Sequence, residues 1–265
     1  MSSNSGKVSS NGVREVRNIL ISQPKPGRSP YFDLAEKYNI DIDWRPFIHV
    51  EPVAERDFRK NRIRPDDYSA VILTSKNAID HFFRMCTEMR VTMPQSTKYF
   101  CISEAIANYL QKFIVYRKRK VFVGNRLISD LEPYLLKHKD SEKFLLPCSN
   151  LGSKPVTEFL DDNEFDYQEA MMYRTVSSDL SDLADITYDI LVFFSPLGIQ
   201  SLYENFPDFK QNNTRIAVYG KSTSRAVEER GLTINILAPA PNVPSMSMAL
   251  DQYLREANRS NGSNQ

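Results

Sequence analysis

The sequence predicts an α/β protein of two similar parallel-sheet lobes joined by a two-stranded antiparallel ribbon. Three observations carry that prediction. Short β-branched or aromatic runs alternate with helical stretches along most of the chain. Two consecutive strand–turn–helix phrases are written twice. Two extended stretches have no helix behind them and stand where one lobe can hand over to the other.

The alternation runs in order. "VRNILIS" leads to "SPYFDLAEKYN", "SAVILTS" to "KNAIDHFFRMC", and "TKYFCIS" to "EAIANYLQKF". "KVFVG" leads to "LISDLEPYLLKHK", "EKFLLPCS" to "VTEFLDDN", and "YDILVFFS" to "LGIQSLYENF". "TRIAVYG" leads to "SRAVEERG", and "LTINILAP" to "SMSMALDQYLREA". Near-continuous apolar strands alternating with helices mark parallel sheets covered on both faces.

Two stretches break the rhythm: "DIDWRPFIHVEPV" and "DYQEAMMYRTVSS". They predict a linker ribbon over 41–53 and 166–178. The repeat fixes what lies on either side. "YSAVILTSKNAIDHFF" aligns with "YDILVFFSPLGIQSLY", and "TKYFCISEAIANYL" with "TRIAVYGKSTSRAV". Lobe one is then discontinuous, 13–40 plus 179–256, and lobe two is 54–165. Residues 1–12 and 257–265 are rich in Ser, Asn and Gly and read as disordered tails.

The bulk composition, 41% hydrophobic and 25% charged, is that of a globular protein. No apolar run approaches the roughly 20 residues that cross a bilayer, and no membrane partner is expected. The N-terminus has no apolar segment of the secretory kind. Three widely spaced cysteines argue against a disulfide framework and fit a reducing cytoplasm. The formal charge of +1 gives no global field for nucleic acid. One basic cluster, "YRKRKVF", reads as a solvated turn before a strand, because no aromatic-basic interleaving extends it.

Ligands of open α/β sheets bind beyond the carboxyl ends of the strands. The turns there are Thr74-Ser75-Lys76, Ser103-Glu104, Cys148-Ser149-Asn150, Ser195-Pro196 and Gly220-Lys221-Ser222-Thr223. Each precedes a helix, where free N–H groups and the positive end of the dipole favour an anion. Ser, Thr and Asn are also the preferred helix caps, so each hydroxyl has two readings, ligand contact or cap. Lys25, Arg28, Lys76, Lys154 and Lys221 sit in or beside these turns. That charge suits a small polyanion held in a cleft between lobes.

Other chemistries lack their signatures. His49, His81 and His138 have no metal-ligand spacing. No GxGxxG or GxxxxGK[ST] occurs, so a dinucleotide or NTP lacks its usual cradle, and without GxSxG there is no standard α/β-hydrolase elbow. Cys148 ends a strand before a helix, where a thiol pKa can fall, but it has no defined His partner.

The chain resembles the uroporphyrinogen-III synthase family over roughly 13–256. "DYSAVILTSKNAIDHFF" is similar to that family's Tyr, apolar strand and Thr-Ser segment, and "FLLPCSNLGSK" to its Pro-x-Gly-Asn strand end. "MMYRTV" resembles its Val-Tyr-x-Thr linker strand, and "VFFSPLGIQSL" its Phe-Phe-Ser-Pro segment. "IAVYGKSTSRAVEERGL" resembles its Gly-x-x-Thr helix start, and "APNVPSMSMAL" its last loop and helix. There are two departures. The second lobe reads Ser103-Glu104-Ala105-Ile106 where Gly-x-x-Thr is usual, and Ser149 stands where Gly is usual.

The resemblance implies two flavodoxin-like or Rossmann-like lobes, no cofactor, and a lyase that cyclises hydroxymethylbilane with inversion of ring D. It implies Tyr173 as proton donor. It directs the substrate carboxylates to Ser75, Lys76, Ser103, Ser149, Asn150, Ser195, Pro196, Lys221, Ser222 and Thr223. A cytoplasmic monomer is expected, with transient contact to hydroxymethylbilane synthase as a further expectation. The rival reading is a two-lobed module that binds an anionic small molecule without chemistry.

Overall fold

Near-continuous apolar runs form the central strands of two sheets, as their lack of alternation dictates. The structure is a computed structural model and describes residues 15–262. In chain order the elements are β1 (Asn18–Ile21), α1 (Pro30–Tyr38), β2 (Asp41–Trp44), β3 (Ile48–Pro52), α2 (Glu55–Phe58), β4 (Ala70–Leu73) and α3 (Lys76–Glu88). There follow β5 (Lys98–Cys101), α4 (Glu104–Leu110), β6 (Val121–Val123), α5 (Glu132–His138), β7 (Phe144–Ser149), α6 (Lys154–Asp162) and β8 (Tyr167–Ser177). The chain ends with β9 (Ile190–Phe193), α7 (Pro196–Asn205), β10 (Arg215–Tyr219), α8 (Lys221–Glu229), β11 (Ile234–Ala238) and α9 (Met246–Gly262).

The chain divides into two units. The first is Met1–His49 with Ser177–Gln265, and the second is Val50–Val176. The first unit carries a five-stranded sheet in the order β11-β10-β9-β1-β2, with every recorded pair parallel. Counted within the unit, that is the 2-1-3-4-5 order of flavodoxin-like folds. Strand pleating sorts its side chains to two faces. Ile19, Ile21, Val192 and Ala217 pack with Leu34 of α1 and with Leu250 and Leu254 of α9. Leu20, Leu191, Phe193, Ile216 and Val218 pack on the other face with Ile199 and Leu202 of α7 and Val227 of α8.

The second unit carries a six-stranded sheet in the order β3-β8-β7-β4-β5-β6. Its β4–β5, β4–β7, β5–β6 and β7–β8 pairs are parallel. Val71, Leu73, Tyr99, Cys101 and Leu145 pack with Phe82 of α3 and Leu110 of α4. Ala70, Ile72, Phe100, Phe144 and Leu146 pack on the opposite face with Leu135 of α5 and Leu160 of α6. Setting β3 aside, β8-β7-β4-β5-β6 has the same spatial order as β2-β1-β9-β10-β11. The units therefore match as circular permutants: β4-α3-β5-α4-β6 corresponds to β9-α7-β10-α8-β11, and β7-α6-β8 to β1-α1-β2. The repeated phrases in the sequence are the first of these correspondences.

The connection between units differs from the expected free ribbon. Asp41–Trp44 is not linker: it is β2, parallel to β1 from Asn18–Asp41 through Ile21–Trp44. Its alternating exposure comes from its place at a sheet edge. Tyr167–Tyr173 likewise extends the second sheet, parallel to β7. What remains of the ribbon is β3 beside β8, held in part by the Val53 N–H to Met172 carbonyl bond at 3.1 Å. The C-terminal helix also runs past the expected boundary at 256, because Ala257 continues the buried stripe of Leu250 and Leu254. The expected N-terminal tail lies outside the described residues.

Candidate active site

Both units end their central strands in turns that lead into helices, and the crevice of a doubly wound sheet opens where the strand order reverses. In the second unit that point lies between β7 and β4. β4 ends at Leu73 and Ser75 is extended, with φ −154°, as the N-cap of α3. Its Oγ accepts a hydrogen bond from the Ala78 N–H at 3.0 Å. The same Oγ lies 3.3 Å from the Tyr173 hydroxyl. One Ser75 hydroxyl thus serves both as helix cap and as neighbour of the tyrosine hydroxyl.

Tyr173 owes its position to a bulge. The β7–β8 register shifts between Cys148 and Ser149, pairing Cys148 with Met171 but Ser149 with Tyr173. A regular strand would put Met172 and Tyr173 on opposite faces. With the bulge, both join the core under α3, and a bulge is a common way to re-aim a side chain at a site. Burial raises the Tyr173 pKa above the usual phenol value, and the Ser75 hydrogen bond only partly opposes it. The hydroxyl is therefore protonated at neutral pH and able to donate.

Two residues that the sequence reading passed over complete this cluster. The His81 ring stacks on Tyr173, with centroids 4.9 Å apart. Its Nδ1 accepts from Arg84 Nε at 3.2 Å. Burial, then the Arg84 charge, lowers the His81 pKa, so the ring is neutral. Arg84 Nη2 also donates to the carbonyls of Val53 (3.0 Å) and Met172 (2.9 Å), tying α3 to β8. The available signal was the spacing of Ser75, His81 and Arg84 on one helix. Without the partner strand it has no direction.

The other second-unit candidates divide between site and scaffold. Ser149 Oγ accepts from the Leu151 N–H at 3.2 Å. Asn150 Oδ1 accepts from the Thr175 N–H at 2.8 Å and its Nδ2 donates to the Thr175 carbonyl at 3.3 Å. These two side chains hold the strand end, as local polar side chains do where a ladder stops. Ser103 begins α4 without a side-chain cap bond. Lys76 is exposed, and its ammonium stands 5.4 Å from the Tyr109 ring centre. Cys148 does not become a reactive thiol: burial and the nearby Glu169 carboxylate push its pKa up to about 12.

The first unit presents a separate cluster on the corresponding turns. Ser195 caps α7 through the Gly198 N–H at 3.3 Å, and Pro196 takes the first helical turn, where its missing N–H costs nothing. The α8 turn is built differently. Gly220 adopts φ +87°, a conformation that strains side-chain-bearing residues, and donates to the Ala238 carbonyl at 2.7 Å. No side chain caps the helix that follows. Lys221 and Ser222 are exposed there, whereas Thr223 is 1% exposed and its buried hydroxyl has no partner among the described residues. The structure thus brings Tyr173 to Ser75 in one unit and gathers Lys221, Ser222 and Thr223 at a helix start in the other.

Comparison with known proteins bears on the family and the fold. A family model described as Uroporphyrinogen-III synthase HemD matches residues 30–247. The chain is 22% identical to the uroporphyrinogen-III synthase of Chlorobaculum parvum, over 91% of this chain and all of that one. It is also 22% identical to the Schizosaccharomyces pombe uroporphyrinogen-III synthase, over 90% of this chain and 97% of that one. Among solved structures, uroporphyrinogen-III synthetase from Helicobacter pylori has the same fold, with TM-score 0.58, 16% identity, and coverage of 90% of this chain and 99% of that one. A mutant uroporphyrinogen III synthase from Thermus thermophilus gives TM-score 0.55 at 13% identity, covering 92% and 99%. With most of its length matched by the family model, the chain belongs to the uroporphyrinogen-III synthase family.

Proposed function

We propose that this chain is a uroporphyrinogen-III synthase, cyclising hydroxymethylbilane with loss of water and inversion of ring D. The substrate is a linear tetrapyrrole with eight carboxylates and a hydroxymethyl group. Loss of that hydroxyl leaves a reactive azafulvene cation, and the pyrroles are intrinsically nucleophilic. Unguided closure gives the wrong isomer. The enzyme has to hold ring D so that its substituted carbon attacks, through a spiro intermediate. Orientation of this kind supplies much of a barrier reduction.

The observation that supports the chemistry best is the Tyr173–Ser75 contact at the carboxyl end of β4. A buried, protonated phenol beside a hydroxyl is suited to donate a proton to the departing hydroxyl. Substrate carboxylates bind at the helix starts. In the first unit that role falls to the N–H groups of α8 with Lys221, Ser222 and Thr223, and to Ser195 with Pro196. In the second it falls to Ser75, Lys76 and Ser103. Ser149 and Asn150 contribute by shaping the strand end more than by direct contact. Three free, buried thiols, Cys86, Cys101 and Cys148, suit a reducing cytoplasm, where the enzyme works as a monomer on substrate passed from hydroxymethylbilane synthase.

The test is a coupled assay. The chain is incubated with hydroxymethylbilane synthase and porphobilinogen, and the oxidised porphyrin isomers are separated. Isomer III is the expected product. Isomer I alone would leave the non-catalytic binding module as the reading.

A further inference from the structure

Residues 105–129 contain six cations, Lys112, Arg117, Lys118, Arg119, Lys120 and Arg126, and no acid. The whole chain carries only +1, so this positive charge is a local asymmetry. The segment from Gln111 to Lys120 joins α4 to β6, at the amino end of the second sheet; the Tyr99 N–H bonds the Lys120 carbonyl there at 2.8 Å. Ser75 and Tyr173 lie at the carboxyl end of the same sheet, so the loop and the site face away from each other within the unit.

The loop also exposes apolar side chains among its cations. Val115 is 82% exposed, Phe113 38% and Tyr116 37%. Single exposed apolar residues are ordinary, but three in four positions, flanked by Lys112 and Arg117–Lys120, form one patch. Gln95 holds two of the cations: Arg117 Nη2 donates to its side chain at 3.5 Å and Lys120 Nζ to its carbonyl. Lys118 and Arg119 have no hydrogen-bond or ion-pair partner among the described residues. Burial first, and then the like charges of Arg117, Arg119 and Lys98, lower the Lys120 pKa. An acidic surface would relieve that repulsion.

We propose that the Lys112–Lys120 loop docks this protein reversibly on an anionic membrane surface, with Val115, Phe113 and Tyr116 at the headgroup boundary and the cations among acidic lipid headgroups. This revises the expectation, drawn from the sequence, of a plain solvated turn with no membrane partner. Charge complementarity favours the lipid. A basic segment gains attraction from each Lys or Arg near an acidic leaflet, and exposed apolar side chains add a hydrophobic component. Nucleic acid would use the cations but leave Val115, the most exposed of the apolar side chains, without a role. Docking of this type is peripheral, since among the described residues no helix is long and apolar enough to cross a membrane.

The full chain is sedimented with vesicles of phosphatidylcholine containing 30% phosphatidylserine, and with vesicles of phosphatidylcholine alone. Binding to the acidic vesicles only, weakening as salt is raised, is expected. Each cation near the surface contributes about fivefold, so Lys118→Ala with Arg119→Ala weakens binding roughly 30-fold. Val115→Ser weakens it at unchanged charge. Both variants keep wild-type turnover in the coupled assay, which also shows that they fold. The proposal is overturned if wild-type protein ignores acidic vesicles at low salt, if the double variant binds as well as wild type, or if Val115→Ser has no effect. Binding of a single-stranded RNA oligonucleotide without vesicle binding would reassign the patch to nucleic acid.

Discussion

The His81 imidazole lies nearly parallel to the Tyr173 ring, with centroids 4.9 Å apart and planes 17° apart. The two residues come from α3 and β8, and Ser75 and Arg84 join the same elements at two further points. Ser75 contacts the Tyr173 hydroxyl at 3.3 Å, and Arg84 reaches the Met172 carbonyl at 2.9 Å. The tyrosine is therefore fixed at its ring face, its hydroxyl and its backbone neighbour. A phenol held this way keeps its oxygen in one place beside Ser75.

Tyr173→Phe removes the hydroxyl and keeps the stacked ring. Turnover is expected to fall about 10²-fold, the lower range for general acid–base catalysis, with some activity left because the pyrroles react unaided. Isomer III stays dominant in the residual product, since orientation is untouched. Because burial raises the Tyr173 pKa above the usual phenol value, the wild-type donor stays protonated through neutral and mildly alkaline pH. Steady-state rates with isomer separation check both points. Full activity in the variant would remove Tyr173 from the mechanism.

Arg84→Ala deletes hydrogen bonds from a charged donor to the carbonyls of Val53 and Met172, the partner of His81 Nδ1, and the ion pair to Glu88. Hydrogen bonds of that class are worth about 1.5–3 kcal/mol, and Arg84 is mostly buried, so a loss of about 2 kcal/mol is expected in urea denaturation. Turnover falls as well, through a looser Tyr173. Arg84→Lys recovers part of the stability but not the His81 contact, because an ammonium cannot bridge these acceptors as a planar fork does.

Stability should fall on mild acidification. Burial, with Arg84 as a second cause, lowers the His81 pKa, and burial with Lys98 lowers that of His138. The unfolded chain takes up protons at these residues near pH 6.5, while the folded protein resists them. Between the lowered values and about 6.5 the unfolded state therefore binds more protons, and stability rises with pH. The contribution is complete above about pH 6.5 and is lost as pH falls below it. His81→Phe keeps a ring against Tyr173 and should flatten part of that slope. Urea midpoints between about pH 5 and pH 8 measure it, and an identical slope in the variant would contradict the assignment.

Much of the fold was legible because its signals are local. β4 with Ser75 and β9 with Ser195 each pair an apolar run with a capping residue, and both caps are present. β2 was misread as linker for a non-local reason. "DIDW" alternates like a ribbon strand, and only its pairing with β1 makes it a sheet edge. Tyr173 was named by family resemblance, but the bulge that aims it was not, since bulges depend on register between strands. The His81 and Arg84 contacts were out of reach for the same reason: they join a helix to a strand far away in sequence. Asn150 was placed at its turn, but its pairing to Thr175 was not legible, because a free amide and a paired one look alike in sequence.

Thr223 separates a substrate contact from a packing residue. Its hydroxyl is buried without a partner among the described residues, on a helix whose start no side chain caps. An unsatisfied buried hydroxyl costs about 1–3 kcal/mol, which a fold does not keep without a reason. Thr223→Val has nearly the same shape and lacks the polar atom. It should stabilise the free protein by about 1 kcal/mol in urea denaturation. If a substrate carboxylate reaches this hydroxyl, the same variant raises KM severalfold, because a hydrogen bond to a charged group is lost. Stabilisation with unchanged kinetics would leave Thr223 as packing alone and move carboxylate binding to Lys221, Ser222 and the α8 amides. Thr223→Ser distinguishes the two further: it keeps the hydroxyl, so KM stays near wild type while the lost methyl group costs stability.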